Sequence, residues 1–104
     1  MPSYRVALNI NGARPGVSPE DVLPAAERIL ARTHRVEDRS VELVGMQPQV
    51  NLRFLVETSH DEAEDDEAEA AVRRLVDELG TVAECGDWVL KRGPGGHWRP
   101  IRRG

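Results

Sequence analysis

Segments in which every second residue is apolar alternate along this chain with segments in which every third or fourth is, and their order restricts the fold more than any other feature. Residues 4–10 set the pattern. Tyr4, Val6, Leu8 and Ile10 fall on one side and Arg5, Ala7 and Asn9 on the other, the period of a half-buried strand. Asn11-Gly12 is expected to end that strand, and Gly12–Ser18 has loop composition. Ser18-Pro19-Glu20-Asp21 reads as a helix start, with a hydroxyl cap, a proline where no amide partner is needed, and acids at the positive end of the dipole. The first helix should run to about His34 with Val22, Ala26, Ile29, Leu30 and Thr33 inward. Pro24 leaves two alternatives: a helix from Pro19 with a kink, or a turn followed by a helix from Pro24.

Two strands are expected next, over 38–45 with Val41 and Leu43 in phase, and over 49–58 with Val50, Leu52, Phe54 and Val56 in phase. The short turn-like stretch Gly45–Gln49 makes them an antiparallel hairpin. Ser59 and Glu62 match a capping box, and Ala68, Ala71, Val72, Leu75, Val76 and Leu79 have helical spacing before Gly80. Thr81–Cys85 and Trp88–Arg92 then flank Gly86-Asp87, which predicts a two-residue hairpin with Cys85 opposite Trp88 and Ala83 opposite Leu90. A Gly/Pro loop follows at 93–96, and 97–101 suits an edge strand that tolerates Pro100.

The order is β-α-β-β-α-β with an extra C-terminal β-hairpin. Right-handed crossovers turn it into an α+β two-layer sandwich, an antiparallel sheet with both helices on one face. In element order, from residue 4 to about 85, the chain resembles the ferredoxin-like superfold. That superfold hosts unrelated chemistries and implies no function by itself. A domain over 1–92 and a basic Gly/Pro-rich tail or edge strand over 93–104 are the expected units.

The 104 residues suit one core, and no apolar run approaches the ~20 residues of a membrane span. Met-Pro-Ser-Tyr-Arg lacks the hydrophobic stretch of a secretory signal, and the lone Cys85 excludes an internal disulfide, so a cytoplasmic setting is expected. Thirteen arginines stand against one lysine, which suggests the codon bias of a GC-rich, bacterial-type genome. Charge is divided unevenly: residues 1–90 hold nine arginines and all 18 acids, net −9, while 91–104 are net +5.

Candidate sites are sparse. Gly12, Arg14, Gly16 and Ser18 ahead of a helix start can bring amides, a guanidinium and a dipole to an anion. The corresponding loop binds ligand in acylphosphatases and ACT-type regulatory domains, but here Pro19 removes one amide and the acylphosphatase Gly-rich loop is absent. His60 and Glu64 have a metal-compatible spacing inside an acidic run, yet the run lacks the pattern of a calcium loop and reads as a solvated face whose like charges should fray the helix. Cys85 points into the core, and His34, His60 and His97 have no evident partner, so no nucleophile and base come together. No cofactor or metal is expected, and an enzyme is the less favoured reading.

Arg92, Trp98, Arg99, Arg102 and Arg103 can engage nucleic acid, or fold back onto the acids of the second helix. The free sheet face should present Arg5, Ala7, Asn9, Val44, Arg53 and Leu55 among polar neighbours. The reading that results is a non-enzymatic interaction module, self-associating as a homodimer or binding a protein partner through the open sheet or the C-terminal hairpin. An anion or small-molecule sensor using the β1-α1 loop and a nucleic-acid binder using the tail are the alternatives, and no membrane partner is expected.

Overall fold

The computed structural model describes residues 3–57, 61–93 and 97–104, and of Asp61 the backbone alone. Strand β1 (Ser3–Ala13) leads through a 3-10 turn (Pro19–Asp21) to helix α1 (Val22–Ala31). The hairpin β2 (Val36–Val44) and β3 (Gln47–Leu55) follows, then helix α2 (Asp61–Leu79), β4 (Ala83–Arg92) and β5 (Arg99–Arg103). The sheet order is β2-β3-β1-β4-β5, with every neighbouring pair antiparallel. This is the expected ferredoxin-like α+β sandwich, widened by one strand at the β4 edge.

The dry side is the one that the alternation marked. Tyr4, Val6, Leu8, Leu52 and Phe54 have no exposed surface, and Ala26, Leu30, Ala68, Val72, Leu75 and Leu79 cover them from the helices. Each large side chain buried this way contributes about 1.5–3 kcal/mol. Tyr4 and Phe54 stack with ring centroids 6.0 Å apart, which joins β1 to β3 at their directly paired positions.

Pro24 neither kinks nor starts a helix. The 3-10 turn ends at Asp21, so Pro24 falls in the first turn of α1, where an amide has no intrahelical partner to lose. The Ser18 hydroxyl does not cap; it donates to Glu20 Oε1 at 2.7 Å. Helix α1 also stops at Ala31, short of His34, and Thr33 is exposed. The Ser59 cap position lies outside the described residues.

Two expectations about turns are overturned. Gly86-Asp87 is not a hairpin turn: β4 runs through it and pairs with β1 over the whole length from Tyr4–Arg92 to Ala13–Ala83. Cys85 therefore lies opposite Ile10, and Trp88 opposite Leu8. An extra residue in β4 between Cys85 and Trp88, then one in β1 between Ile10 and Gly12, make two bulges, so Asn11-Gly12 bends β1 without ending it. A Cβ on Gly86 would meet the Asn11 side chain at 3.2 Å, so glycine here serves close approach. The C-terminal hairpin is formed instead by β4 and β5, and the two-residue turn with glycine first lies at Gly45-Met46, where Gly45 has φ +65°.

Val41 and Leu43 share the phase of the core yet are exposed, Val41 at 52% and Leu43 at 72%. The reason is reach. The ten residues of α1 span about 15 Å, whereas the nine of β2 span about 30 Å, so the hairpin arm extends past the helix that would roof it. Urea unfolding should separate the two situations: Phe54→Ala lowers stability by about 3–5 kcal/mol, whereas Leu43→Ala, in the same alternating pattern, stays within about 0.5 kcal/mol of the parent.

Candidate functional site

The charged groups gather in a seam between α2 and the β4-β5 edge. Arg92 closes β4 directly opposite Tyr4, on the helix side of the sheet. Its guanidinium donates to Glu64 Oε2 and Asp65 Oδ1, each at 2.8 Å, and to the Tyr4 hydroxyl at 2.8 Å. The Tyr4 hydroxyl in turn donates to Asp65 at 2.7 Å. Arg92 also lies 5.5 Å from the centroid of the Tyr4 ring. Glu64 is buried, and the Asp65 and Arg92 side chains are mostly so.

Burial and the adjoining Asp65 charge push the Tyr4 phenol well above its ordinary value. Burial alone would raise the Asp65 carboxyl, but the hydrogen bonds from Tyr4 and Arg92 outweigh it and hold that carboxyl below the usual range. Desolvation likewise opposes the Arg92 charge and is overcome by the bonds to Asp65 and Glu64. Chemically this network holds charge in place.

The same pattern continues along the seam. Arg102 of β5 donates to Glu69 at 2.8 Å and to Asp66 at 3.3 Å, and Arg73 pairs with Glu69 at 2.9 Å. The expected like-charge strain of α2 is thus met by cations from two strands and from its own next turn. Of the tail residues singled out for nucleic acid, Arg92 and Arg102 are committed to these carboxylates, while Arg99 and Arg103 are exposed.

A histidine partner was missed by sequence reasoning. His34 Nε2 is 2.9 Å from Glu67 Oε2 and Nδ1 is 2.8 Å from Thr33 Oγ1, with the ring edge-on to Phe54 at 5.6 Å. The set looks like a hydroxyl-imidazole-carboxylate relay. It sits at the C-terminal end of α1, however, where free carbonyls and not amide donors converge, the wrong polarity for an oxyanion. His34 ties α1 to α2. Burial raises the thiol pKa of the half-buried Cys85, and no group of three or more potential metal ligands exists among the described residues.

In the β1-α1 loop the Arg14 and Ser18 side chains both donate within the chain. Arg14 Nε donates to the Gly80 carbonyl at 3.0 Å and Nη1 lies 3.4 Å from Glu84, so this guanidinium closes the C-terminal end of α2. Gly12 is inside β1, Gly16 takes φ +84°, and Ser18 holds Glu20. On the open face, Arg5, Ala7, Asn9, Arg53 and Leu55 lie on the adjacent strands β1 and β3, and Ala7 and the neighbouring Asn51 are buried. Trp98 lies over this face, 5.1 Å from the Arg5 guanidinium and 5.3 Å from that of Arg53. Val44 stands apart from them on the arm, where Val44 is 55% and Met46 96% exposed. Beside the arm, Leu23, Pro24, Val41, Leu43 and Pro48 line an open apolar groove of about 560 Å³.

No family model matches the chain, and no curated protein matches it. The solved structure of a phage SAM lyase in its apo state is similar in fold, at TM-score 0.56 and 16% identity over 97% of this chain and 86% of that one. The ligand-free regulatory subunit of aspartate kinase from Thermus thermophilus aligns at TM-score 0.49 and 16% identity, over 92% of this chain and 59% of that one. The first likeness supports the fold alone. What stands is a small α+β domain in which no described helix is long and apolar enough to cross a membrane.

The seam yields a test. Arg92→Ala leaves Glu64 and Asp65 without their shared cation and should cost about 3–5 kcal/mol, and Tyr4→Phe about 1–3 kcal/mol, by denaturant unfolding at neutral pH. Because the folded Asp65 carboxyl titrates below its unfolded value near ~3.9, its contribution is present above that value and lost as pH falls through the lowered one. Acid unfolding followed by circular dichroism should be flatter below about pH 5 in Asp65→Asn than in the parent.

Proposed function

We propose that this domain is an interaction module that associates with a second copy of itself through the outer edge of β2 and the β2-β3 turn. The observation that carries the reading is the exposure of Val41, Leu43, Val44 and Met46 on one arm whose strand has an edge unpaired among the described residues. Apart from the Arg39 amide, which donates to Asp38 Oδ1 at 2.8 Å, such an edge presents its amides and carbonyls to a further strand. Apolar side chains exposed along it favour a partner over solvent.

The charges on β2 exclude several registers and are compatible with one centred on Val41. In a two-fold antiparallel pair each residue faces its symmetry partner across the ladder. Centring the pair on Arg39 or Glu42 sets each against itself, and centring it on Ser40 sets Asp38 against Glu42. Like charges directly opposite are destabilising. Centring on Val41 avoids every such clash: Val41 faces Val41, Leu43 faces Arg39, Ser40 faces Glu42, and Asp38 faces Val44. The partner's Leu43 then lies over the groove formed by Leu23, Pro24 and Val41. This moves the contact from the centre of the open sheet to its β2 edge.

Sedimentation across a wide concentration range should show a monomer-dimer equilibrium. Leu43→Lys, which sets a cation directly opposite Arg39, should abolish it while leaving unfolding unchanged, and Asn9→Lys on the open face should not affect it. A monomer at every concentration, or dimers lost in Asn9→Lys and kept in Leu43→Lys, would reject this surface.

A further inference from the structure

We propose that Arg53, Arg5 and Lys91, which run side by side across β3, β1 and β4 next to the Trp98 indole, form a binding site for a small phosphoryl anion. The site is independent of the β2 edge. In register, Arg5 faces Arg53 on one side and Lys91 on the other, so three like charges stand in a row on the sheet face opposite the helices. Like charges facing each other across a ladder are destabilising. A chain of net charge −4 has acids to spare for neutralising them, and on the helix side it does so, since Arg92 and Arg102 each hold two carboxylates.

On this face the compensation is incomplete. Glu37 approaches Arg53 Nε at 3.3 Å without an aligned hydrogen bond and also accepts from the Ser3 hydroxyl at 3.0 Å. Arg5 has no carboxylate partner among the described residues, and the Nε atoms of Arg5 and Arg53 are both out of solvent without a hydrogen-bond partner. The place is built to hold its shape. One indole lies against both guanidinium groups, at 5.1 and 5.3 Å, and restrains their planes. The indole is seated on Gly93, where any Cβ would meet its ring at 3.0 Å. Two planar forks, that of Arg53 only partly neutralised by Glu37, and one ammonium, side by side, match the several oxygens and double charge of a phosphoryl group better than a single carboxylate.

The test is a titration of the full chain with pyrophosphate, with ionic strength held constant by chloride, read by tryptophan emission and by calorimetry. Saturable single-site binding is expected, weakened at least about tenfold in Arg5→Gln and in Lys91→Gln. Arg99→Gln, an exposed cation outside the row, should bind as the parent does. Trp98→Phe should still bind by calorimetry and lose most of the emission change. The Arg5→Gln and Lys91→Gln chains should unfold at or above the parent temperature without ligand, since each relieves repulsion. Absence of saturable binding, equal weakening by Arg99→Gln, or equal affinity for citrate would overturn the assignment.

Discussion

A single guanidinium holds the two layers of this domain in register. Arg92 ends β4, faces Tyr4 of β1, and reaches up to Glu64 and Asp65 of α2, so one side chain joins β4 and the central β1 to the helix above them. Its environment makes the joint demanding. Carboxylates and a cation taken out of water lose hydration that only near-complete hydrogen bonding restores, and here the Tyr4 hydroxyl adds the missing donor. Arg102 repeats the device one strand further out, on Asp66 and Glu69. The acidic half of α2 is therefore half of an ionic seam, and the basic C-terminal strands are the other half.

The sheet was legible in the sequence because alternation and helical spacing are local. Val6, Leu8, Leu52 and Phe54 declared their side, and α2 was bounded by Gly80, whose amide bonds back to the Val76 carbonyl. Alternation says which side a residue faces but not whether anything lies above it, and Val41 and Leu43 fell in that gap. Glycine was ambiguous in the same way. The turn at Gly45 was readable from its local composition, whereas Gly86-Asp87, which has the same look, is shown to be a bulge only by its pairing with the distant β1.

The candidate sites were harder to read, since each depends on register between distant segments. Arg92 and Tyr4 lie 88 positions apart, and only the β1-β4 ladder makes them neighbours. The acids and arginines were visible as blocks of opposite charge, and their mutual attraction was foreseeable. Which arginine would be consumed was not. His34 found Glu67 for the same reason, through the packing of α1 on α2. The face residues Arg5 and Arg53 could be placed on one side of the sheet from their phase, but the seating of Trp98 over them depends on the path of the chain after β4.

The seam also sets the order in which the molecule can form. Helix α2 carries its carboxylates well before the cations that neutralise them have been synthesised, and β1, at the middle of the sheet, waits for β4 through almost the whole chain. Contacts this far apart must close large loops before they return any energy, which slows folding relative to local pairing. A growing polypeptide has the β2-β3 arm early and the electrostatic lock last. Commitment to the native state is thereby deferred until β4 and β5 have been made.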